Sequence, residues 1–209
     1  INYNDNASVY IKADMRGSGD GFANLENTLE EVNNIYNLLK ADDVRRIMKY
    51  TDTLASKKVF LELTDSDVNL LHIATHGVYN DVKGGTEAES MAHSLLAFAG
   101  ANLGDEGLVS AAEIASMNLR QCELVVLSAC KTGLGKVSDD GVFGLQRGFK
   151  NAGVHTLLMS LKNVYDDSTA VLMNFFYQGL MKGLSKREAL VKAQQELRNS
   201  GFNAPEYWT

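Results

Sequence analysis

Two continuous apolar runs, each ending at a reactive side chain, constrain the fold of this chain most strongly. The first, LLHIATHG at 70–77, ends at His76, and the second, LVVLSACKTG at 124–133, ends at Cys130. Continuous rather than alternating apolar residues are typical of strands buried on both faces of a parallel sheet. If the strands are neighbours, His76 and Cys130 meet at the carboxyl edge, where α/β proteins place their ligands. A thiol beside an imidazole there predicts nucleophilic attack on a carbonyl, as in a cysteine protease.

The rest of the chain alternates between the two element types. Apolar runs and alternations predict strands at 8–13, 46–50, 69–75, 123–128 and 154–160. Helical spacing, with Thr53 as one cap, predicts helices at 25–39, 54–62, 111–117, 141–151, 168–181 and 185–199. Segments 94–98 and 107–109 are expected to form a short hairpin. The order predicts an α/β three-layer sandwich, with a mostly parallel central sheet flanked by helices.

Length and charge exclude several classes of protein. A chain of 209 residues buries roughly 70% of its unfolded surface, which suits a single domain. The net charge of -6 gives no electrostatic footprint for nucleic acid. No apolar stretch approaches the ~20 residues of a membrane span, and the amino terminus has no signal-peptide pattern. Because the chain begins at Ile1, we expect it to be a fragment of a longer protein.

The two cysteines, Cys122 and Cys130, flank one predicted strand. Eight steps of ~3.3 Å hold them roughly 26 Å apart, beyond the ~7 Å limit between Cα atoms for a disulfide. Two free thiols indicate a reducing compartment, most simply the cytoplasm. Cys122 by itself is interpreted as a small buried hydrophobic residue.

The remaining histidines are interpreted as structural. We place His72 before its strand, in a packing role or with a backbone hydrogen bond. Four strand steps of ~3.3 Å separate His72 from His76 by roughly 13 Å, too far to share a metal ion. His93 and His155 have no nearby partner pattern. We therefore expect neither a metal nor a cofactor.

Four sequence blocks carry a family resemblance. They are HIATHG at 72–77, LSACKTG at 127–133, GVFGLQRGF at 141–149 followed by Ala152-Gly153, and LMNFFY at 172–177. The four blocks occur in the order found in the CHAT domain, and the sequence resembles that domain from about residue 25 to residue 208. That family comprises caspase-like cysteine peptidases that are related to separase and often follow tetratricopeptide repeats. The resemblance implies a caspase-hemoglobinase fold and a single peptidase domain over 1–209. It also implies that repeat or sensor modules lie N-terminal to this domain in a longer protein, and that the protein is bacterial.

The resemblance also implies a catalytic dyad of His76 and Cys130, whose roles follow from chemistry. The sulfur of Cys130 attacks the scissile carbonyl, and His76 handles protons and donates one to the leaving amine. The backbone N–H groups of Gly77 and Cys130 are the expected oxyanion donors, because glycine lets substrate approach the backbone closely. No third member of a triad can be assigned.

Related peptidases read the residue before the scissile bond with a charged pocket. Asp166 and Asp167 occupy the segment where the related carboxylate is found, and Asp139 and Asp140 end the loop after Cys130. We therefore expect a preference for a basic residue before the cut. The alternative for Asp166 is a helix N-cap, where carboxylates are favoured. Lys162 stands where relatives commonly carry tryptophan, which removes one expected aromatic wall of the pocket.

Regulation is expected from outside the domain. Two glycine-containing loops, 77–93 and 131–140, directly follow the two reactive residues. They are interpreted either as functional loops or as ordinary solvated connections. The resemblance implies activation by a partner protein or an N-terminal repeat domain, with another protein as substrate. Segment 203–209 resembles the point where relatives enter a final strand, so we expect that strand to lie beyond this chain.

Two alternative functions remain. A CHAT-fold interaction scaffold without catalysis would be expected to lack the His or the Cys, and both are present. A small-molecule enzyme with a flavodoxin-like sheet would need a phosphate loop opening a helix. The glycines at 17–21 enclose Asp20 and are followed by no lysine, which favours a simple connection.

Overall fold

The computed structural model describes residues 7–10, 22, 26–41, 46–79, 86–103, 105–128, 139–160, 166–204 and 207. The strands are β1 (Ala7–Tyr10), β2 (Lys49–Tyr50), β3 (Leu70–Ala74), β4 (Gly77–Tyr79), β5 (Ser94–Ala97), β6 (Leu108–Ser110), β7 (Leu124–Ser128) and β8 (Leu157–Met159). The helices are α1 (Glu26–Ala41), α2 (Lys57–Leu61), α3 (Glu87–Ala92), α4 (Ala111–Ala115), α5 (Asp139–Asn151), α6 (Asp166–Met181) and α7 (Lys186–Asn199).

A parallel sheet forms the centre of the molecule. Among the described residues it has five strands in the order β2-β1-β3-β7-β8, and every neighbouring pair is parallel. The two strands with continuous apolar sequences, β3 and β7, are neighbours, and Ala74 at the end of one pairs with Ser128 at the end of the other. The prediction that these strands lie side by side is confirmed.

Helices cover both faces of this sheet, so alternate residues of each strand enter different cores. On one face, Leu70 and Val126 pack in a cluster with α1, α6 and α7. On the other face, Leu71 and Val125 pack in a cluster with α2, α4 and α5. Each fully buried Leu or Val contributes about 1.5–3 kcal/mol, which explains why both faces are apolar. The predicted three-layer α/β sandwich is confirmed.

A second, antiparallel sheet extends from the carboxyl end of β3. It has the order β4-β5-β6, and the predicted hairpin is its β5–β6 pair. The prediction of a loop over 77–93 was wrong in part, because β4 pairs with β5 and α3 follows it. Thr86 and Glu89 form a capping box at the start of α3, and this T-x-x-E spacing was a usable signal in the sequence.

Several element ends differ from the prediction. Asp52–Leu54 is a short 3-10 turn, and α2 begins after Ser56, whose Oγ accepts a hydrogen bond from Val59 N at 3.4 Å. Ser56 rather than Thr53 is therefore the cap. Strands β2 and β8 are shorter than expected, and α6 begins at Asp166, earlier than predicted.

Glycines of the GVFGLQRGF block let α5 approach its neighbours closely. A Cβ on Gly148 would lie 2.6 Å from the carbonyl oxygen of Ala111, and a Cβ on Gly144 would collide with the Ser94 side chain. Both glycines are buried. This block therefore has a packing role between α5, α4 and the antiparallel sheet.

Candidate active site

His76 lies where the chain passes from β3 into β4. The hydroxyl of the preceding Thr75 donates to Ala97 O, and Ala97 N donates to His76 O at 3.0 Å. Gly77 then pairs with Leu96 in the antiparallel sheet. These bonds to β5 fix the backbone on which the imidazole is carried, and His76 is 3% exposed.

Phe22 contacts the His76 ring. The two ring centroids are 5.4 Å apart, with the planes tilted by 34°. Asn102 holds Phe22 from both sides, because its Oδ1 accepts from Phe22 N at 2.8 Å and its Nδ2 donates to Phe22 O at 3.1 Å. Neither residue was predicted to be near the site, and no local sequence pattern indicates a contact across 80 positions.

Cys130 lies outside the described residues, so its meeting with His76 stays a prediction. The register does align the strand ends that lead to the two residues. Ala74 pairs with Ser128, and each of these lies two positions before one member of the predicted dyad. The chain therefore leaves β3 and β7 at the same level of the sheet.

The predicted pocket aspartates lie at helix starts. Asp139 and Asp140 begin α5, and Asp166 begins α6, but their side chains are outside the described part of the molecule. Because α6 starts at Asp166 itself, this residue belongs to the first turn rather than to a cap of a helix at 168. The neighbouring Asp167 accepts from Ser168 N at 2.7 Å through its Oδ1. The pocket assignment stays a prediction.

Cys122 is buried as predicted. It is free and 0% exposed, and its Sγ donates to Leu124 O at 3.4 Å. Burial raises the pKa of the Cys122 thiol to about 12. At neutral pH this sulfur is a protonated core atom and cannot serve as a nucleophile.

His72 is structural, but its surroundings differ from the prediction. It lies within β3 rather than before it, and it is fully buried. Its partners are side chains and not the backbone: Nδ1 lies 3.1 Å from Tyr177 Oη, and Nε2 lies 3.1 Å from Glu31 Oε1. Ser128 Oγ donates to the other carboxylate oxygen, Glu31 Oε2, at 3.2 Å. Sequence reasoning missed Glu31, which looked like one of several acidic residues near a helix start.

His93 and His155 each have a partner of their own. His93 ends α3 and donates its backbone N–H to Glu89 O, and His155 Nδ1 lies 3.0 Å from Glu123 Oε1. Within the described ranges, no group of three or more His, Cys, Asp or Glu side chains is placed to hold a metal ion. No helix in that part of the chain combines the length and apolar character needed to span a membrane.

The fold is the caspase-like α/β fold, which the gingipain cysteine proteinases also have. The arginine-specific cysteine proteinase gingipain R superposes with a TM-score of 0.57 at 13% identity, covering 99% of this chain and 45% of gingipain. The complex of its pro- and mature domains from Porphyromonas gingivalis gives a TM-score of 0.60 at 16% identity, covering 97% of this chain and 45% of that one. At these identities the likeness shows the fold.

The CHAT domain family profile matches residues 11–209, so the chain belongs to the CHAT domain family. Tetratricopeptide repeat protein 28 of Homo sapiens is 34% identical over 104 residues, which is 49% of this chain and 4% of that protein. Its Mus musculus counterpart is 32% identical over the same shares. The match therefore covers a small part of these relatives' length. Since both are mammalian, they lend no support to the expected bacterial origin.

Proposed function

We propose that this chain is a cysteine endopeptidase domain in which Cys130 is the nucleophile and His76 the proton-transfer group. The observation that carries the proposal is the register of β3 and β7, which pairs Ala74 with Ser128. Each of these residues lies two positions before one member of the pair, which supports a meeting of the thiol and the imidazole at one edge of the sheet. Nucleophile and base within reach of each other is the arrangement that covalent catalysis needs.

In the proposed reaction, the Cys130 thiolate attacks the scissile carbonyl and His76 protonates the departing amine, leaving an acyl-enzyme. Water then adds to the thioester with His76 accepting its proton, and the acid product and the thiol are released. The ladder supports Gly77 as an oxyanion donor. Ala97 N bonds His76 O, so Gly77 and Leu96 form the alternate, non-hydrogen-bonded pair and the Gly77 N–H points away from β5.

For specificity, we propose a basic residue before the scissile bond. Asp139 and Asp140 begin the helix that returns the chain from β7 to the parallel strand β8, so that helix starts on the carboxyl side of the sheet. Asp166 begins the helix after β8. The arginine specificity stated for the gingipain neighbour agrees with a carboxylate-lined pocket.

We further propose control by a partner or by a preceding repeat domain. His76 is 3% exposed, with the Phe22 ring against it, so a peptide reaches the imidazole only when Phe22 moves, and a partner that favours this movement would raise the rate above that of the isolated chain. The curated relatives are named for tetratricopeptide repeats, which supports a repeat-containing context. The free thiol of Cys122 suits the cytoplasm as the compartment.

The test is cleavage of a randomised peptide library by the parent chain, Cys130→Ala and Cys122→Ala. We expect cleavage by the parent and by Cys122→Ala, after lysine or arginine, and none by Cys130→Ala. Cleavage that persists in Cys130→Ala would overturn the assignment of the nucleophile. A parent chain that neither cleaves peptides nor forms an adduct at Cys130 with a peptidyl acyloxymethyl ketone would instead favour the scaffold function.

The pocket has its own test, which uses a lysine or arginine peptide found in that library. Replacing the carboxylate that binds the basic side chain should raise KM at least ~10-fold, since a charge-assisted hydrogen bond contributes about 1.5–3 kcal/mol. Asp166→Asn, Asp139→Asn and Asp140→Asn are measured separately, with Asp167→Asn as the neighbouring control because Asp167 Oδ1 already accepts a hydrogen bond from Ser168 N. Unchanged KM in all three variants would contradict the pocket assignment.

A further inference from the structure

A buried polar network lies beneath the edge of the sheet that carries the candidate site. Glu31 on α1 is 4% exposed and His72 on β3 is 0% exposed. Carboxylate Oε2 accepts a hydrogen bond from Ser128 Oγ at 3.2 Å, whereas Oε1 lies 3.1 Å from His72 Nε2 without a hydrogen bond between them. Tyr177 Oη, on α6, lies 3.1 Å from His72 Nδ1. Four separate elements therefore meet in one network.

The surroundings of this network are apolar. Val32, Ile35 and Ala74 belong to the cluster on the same face of the sheet and are fully buried. A carboxylate in such a place loses its hydration and is stabilised only by the partners it meets there. A buried ionic group of this kind is often no more stabilising than an apolar side chain of similar volume. Stability alone therefore gives a weak explanation for Glu31.

The position of Ser128 offers a better explanation. Ser128 is the last residue of β7 and lies two positions before Cys130. Its hydroxyl is bonded to Glu31, so α1 holds the strand at the point where the chain departs toward the nucleophile. His72, on the neighbouring strand, contacts the other oxygen of the same carboxylate. The carboxylate thus links the middle of β3 and the end of β7 to one helix.

We propose that Glu31 is a positioning residue that acts through Ser128 to set the direction in which the chain leaves β7 toward Cys130, with His72 packed against its other carboxylate oxygen. The effect of Glu31 on catalysis rests on the proposed peptidase function. A misplacement of about 1 Å at a reacting group can cost roughly 10²-fold in rate. Release of Ser128 therefore moves Cys130 out of reach of His76 and reduces the reactivity of its thiol.

The test compares two serine substitutions that each remove a Ser–Glu hydrogen bond. Ser128→Ala removes the bond to Glu31, and Ser185→Ala removes the bond to Glu188 in the capping box of α7. Ser185 is next to Lys186, which bonds Glu123 O before the start of β7, so the control lies at the opposite end of that strand. The measured quantity is the rate of iodoacetamide alkylation of Cys130 at pH 7, read by mass spectrometry of its peptide.

We expect alkylation to be about tenfold slower in Ser128→Ala and within twofold of the parent in Ser185→Ala. Glu31→Gln, which keeps an oxygen acceptor for Ser128, should retain most of the parental rate, whereas Glu31→Ala should behave like Ser128→Ala. If the parent cleaves peptides, Ser128→Ala should lower kcat and leave KM unchanged. A purely structural network would lower the melting temperature without these changes.

An alkylation rate in Ser128→Ala equal to that of the parent would overturn the positioning role. This result is separate from the fate of the peptidase proposal, because alkylation is read whether or not any peptide is cleaved. If Ser128→Ala slows alkylation but the parent neither cleaves peptides nor forms the acyloxymethyl ketone adduct at Cys130, the positioning role stands and the peptidase function fails. Should Glu31→Ala not fold, the half-buried Ser128 still provides the decisive variant.

Discussion

At the scale of single residues, Cys122 shows how burial separates a structural thiol from a reactive one. Its sulfur lies in the core beside Leu124, and burial raises the pKa of the Cys122 thiol to about 12. The unfolded chain has a cysteine pKa near ~8.5. The folded protein therefore keeps a proton that the unfolded chain loses as the pH rises through this interval.

This difference predicts a loss of stability in alkaline solution. The contribution of Cys122 is fully present below pH ~8.5 and is lost as the pH rises toward about 12. Between pH 8 and pH 10 we expect the free energy of unfolding to fall by ~2 kcal/mol more in the parent than in Cys122→Ala. Urea unfolding of both proteins at the two pH values measures this. Equal losses in the two proteins would show that the thiol is accessible to water.

At the scale of elements, the packing of α5 depends on the absence of a side chain. Gly148 lets the helix lie against Ala111, the first residue of α4, whose carbonyl oxygen would be 2.6 Å from an added Cβ. We expect Gly148→Ala to lower the free energy of unfolding by about 1–3 kcal/mol, the usual cost of overpacking. The exposed Gln146→Ala on the same helix should stay within about ±0.5 kcal/mol. Chemical denaturation decides, and a Gly148→Ala variant as stable as the parent would contradict the close approach.

Because Glu113 is part of the cap of α4, we expect the stability of the fold to depend on pH in acid. Burial would raise the pKa of Glu113, but hydrogen bonds from Lys57 and from Ser110 outweigh it and hold that pKa below its usual range. The bonded carboxylate therefore stabilises the fold at neutral pH, and this contribution is lost as the pH falls below the usual glutamate range of ~4.3. Glu113→Gln should lose less stability than the parent between pH 6 and pH 3. If both proteins lose the same free energy of unfolding between pH 6 and pH 3, the charge of Glu113 contributes nothing measurable to stability.

At the scale of the whole molecule, two cores flank one parallel sheet, and the candidate site lies at the carboxyl end of its central strands. This plan was predictable because β3 and β7 are continuous apolar runs between helical segments, and because a reactive residue follows each strand two positions after its last residue. The antiparallel strand β4 was not predictable, since its hydrogen bonds come from β5 across a polar segment.

The contacts around the candidate site could not be predicted from the sequence either. Phe22 and Asn102 meet across 80 positions, and Ser128 and Glu31 across 97. Such pairs depend on how α1 and the second sheet pack against the central sheet, and local sequence periodicity does not predict this packing. His72 was recognised as structural, but its partners required the packing of α1 and α6 on one face.

The central claim is that His76 and Cys130 form one catalytic pair, and the most direct test is the iodoacetamide alkylation rate of Cys130 at pH 7 in the parent and in His76→Gln. His93→Gln is the matched control, because His93 is exposed at the end of α3. A neighbouring imidazole favours the reactive thiolate, so we expect alkylation at least ~10-fold slower in His76→Gln and unchanged in His93→Gln. Equal rates in all three proteins would contradict the pairing.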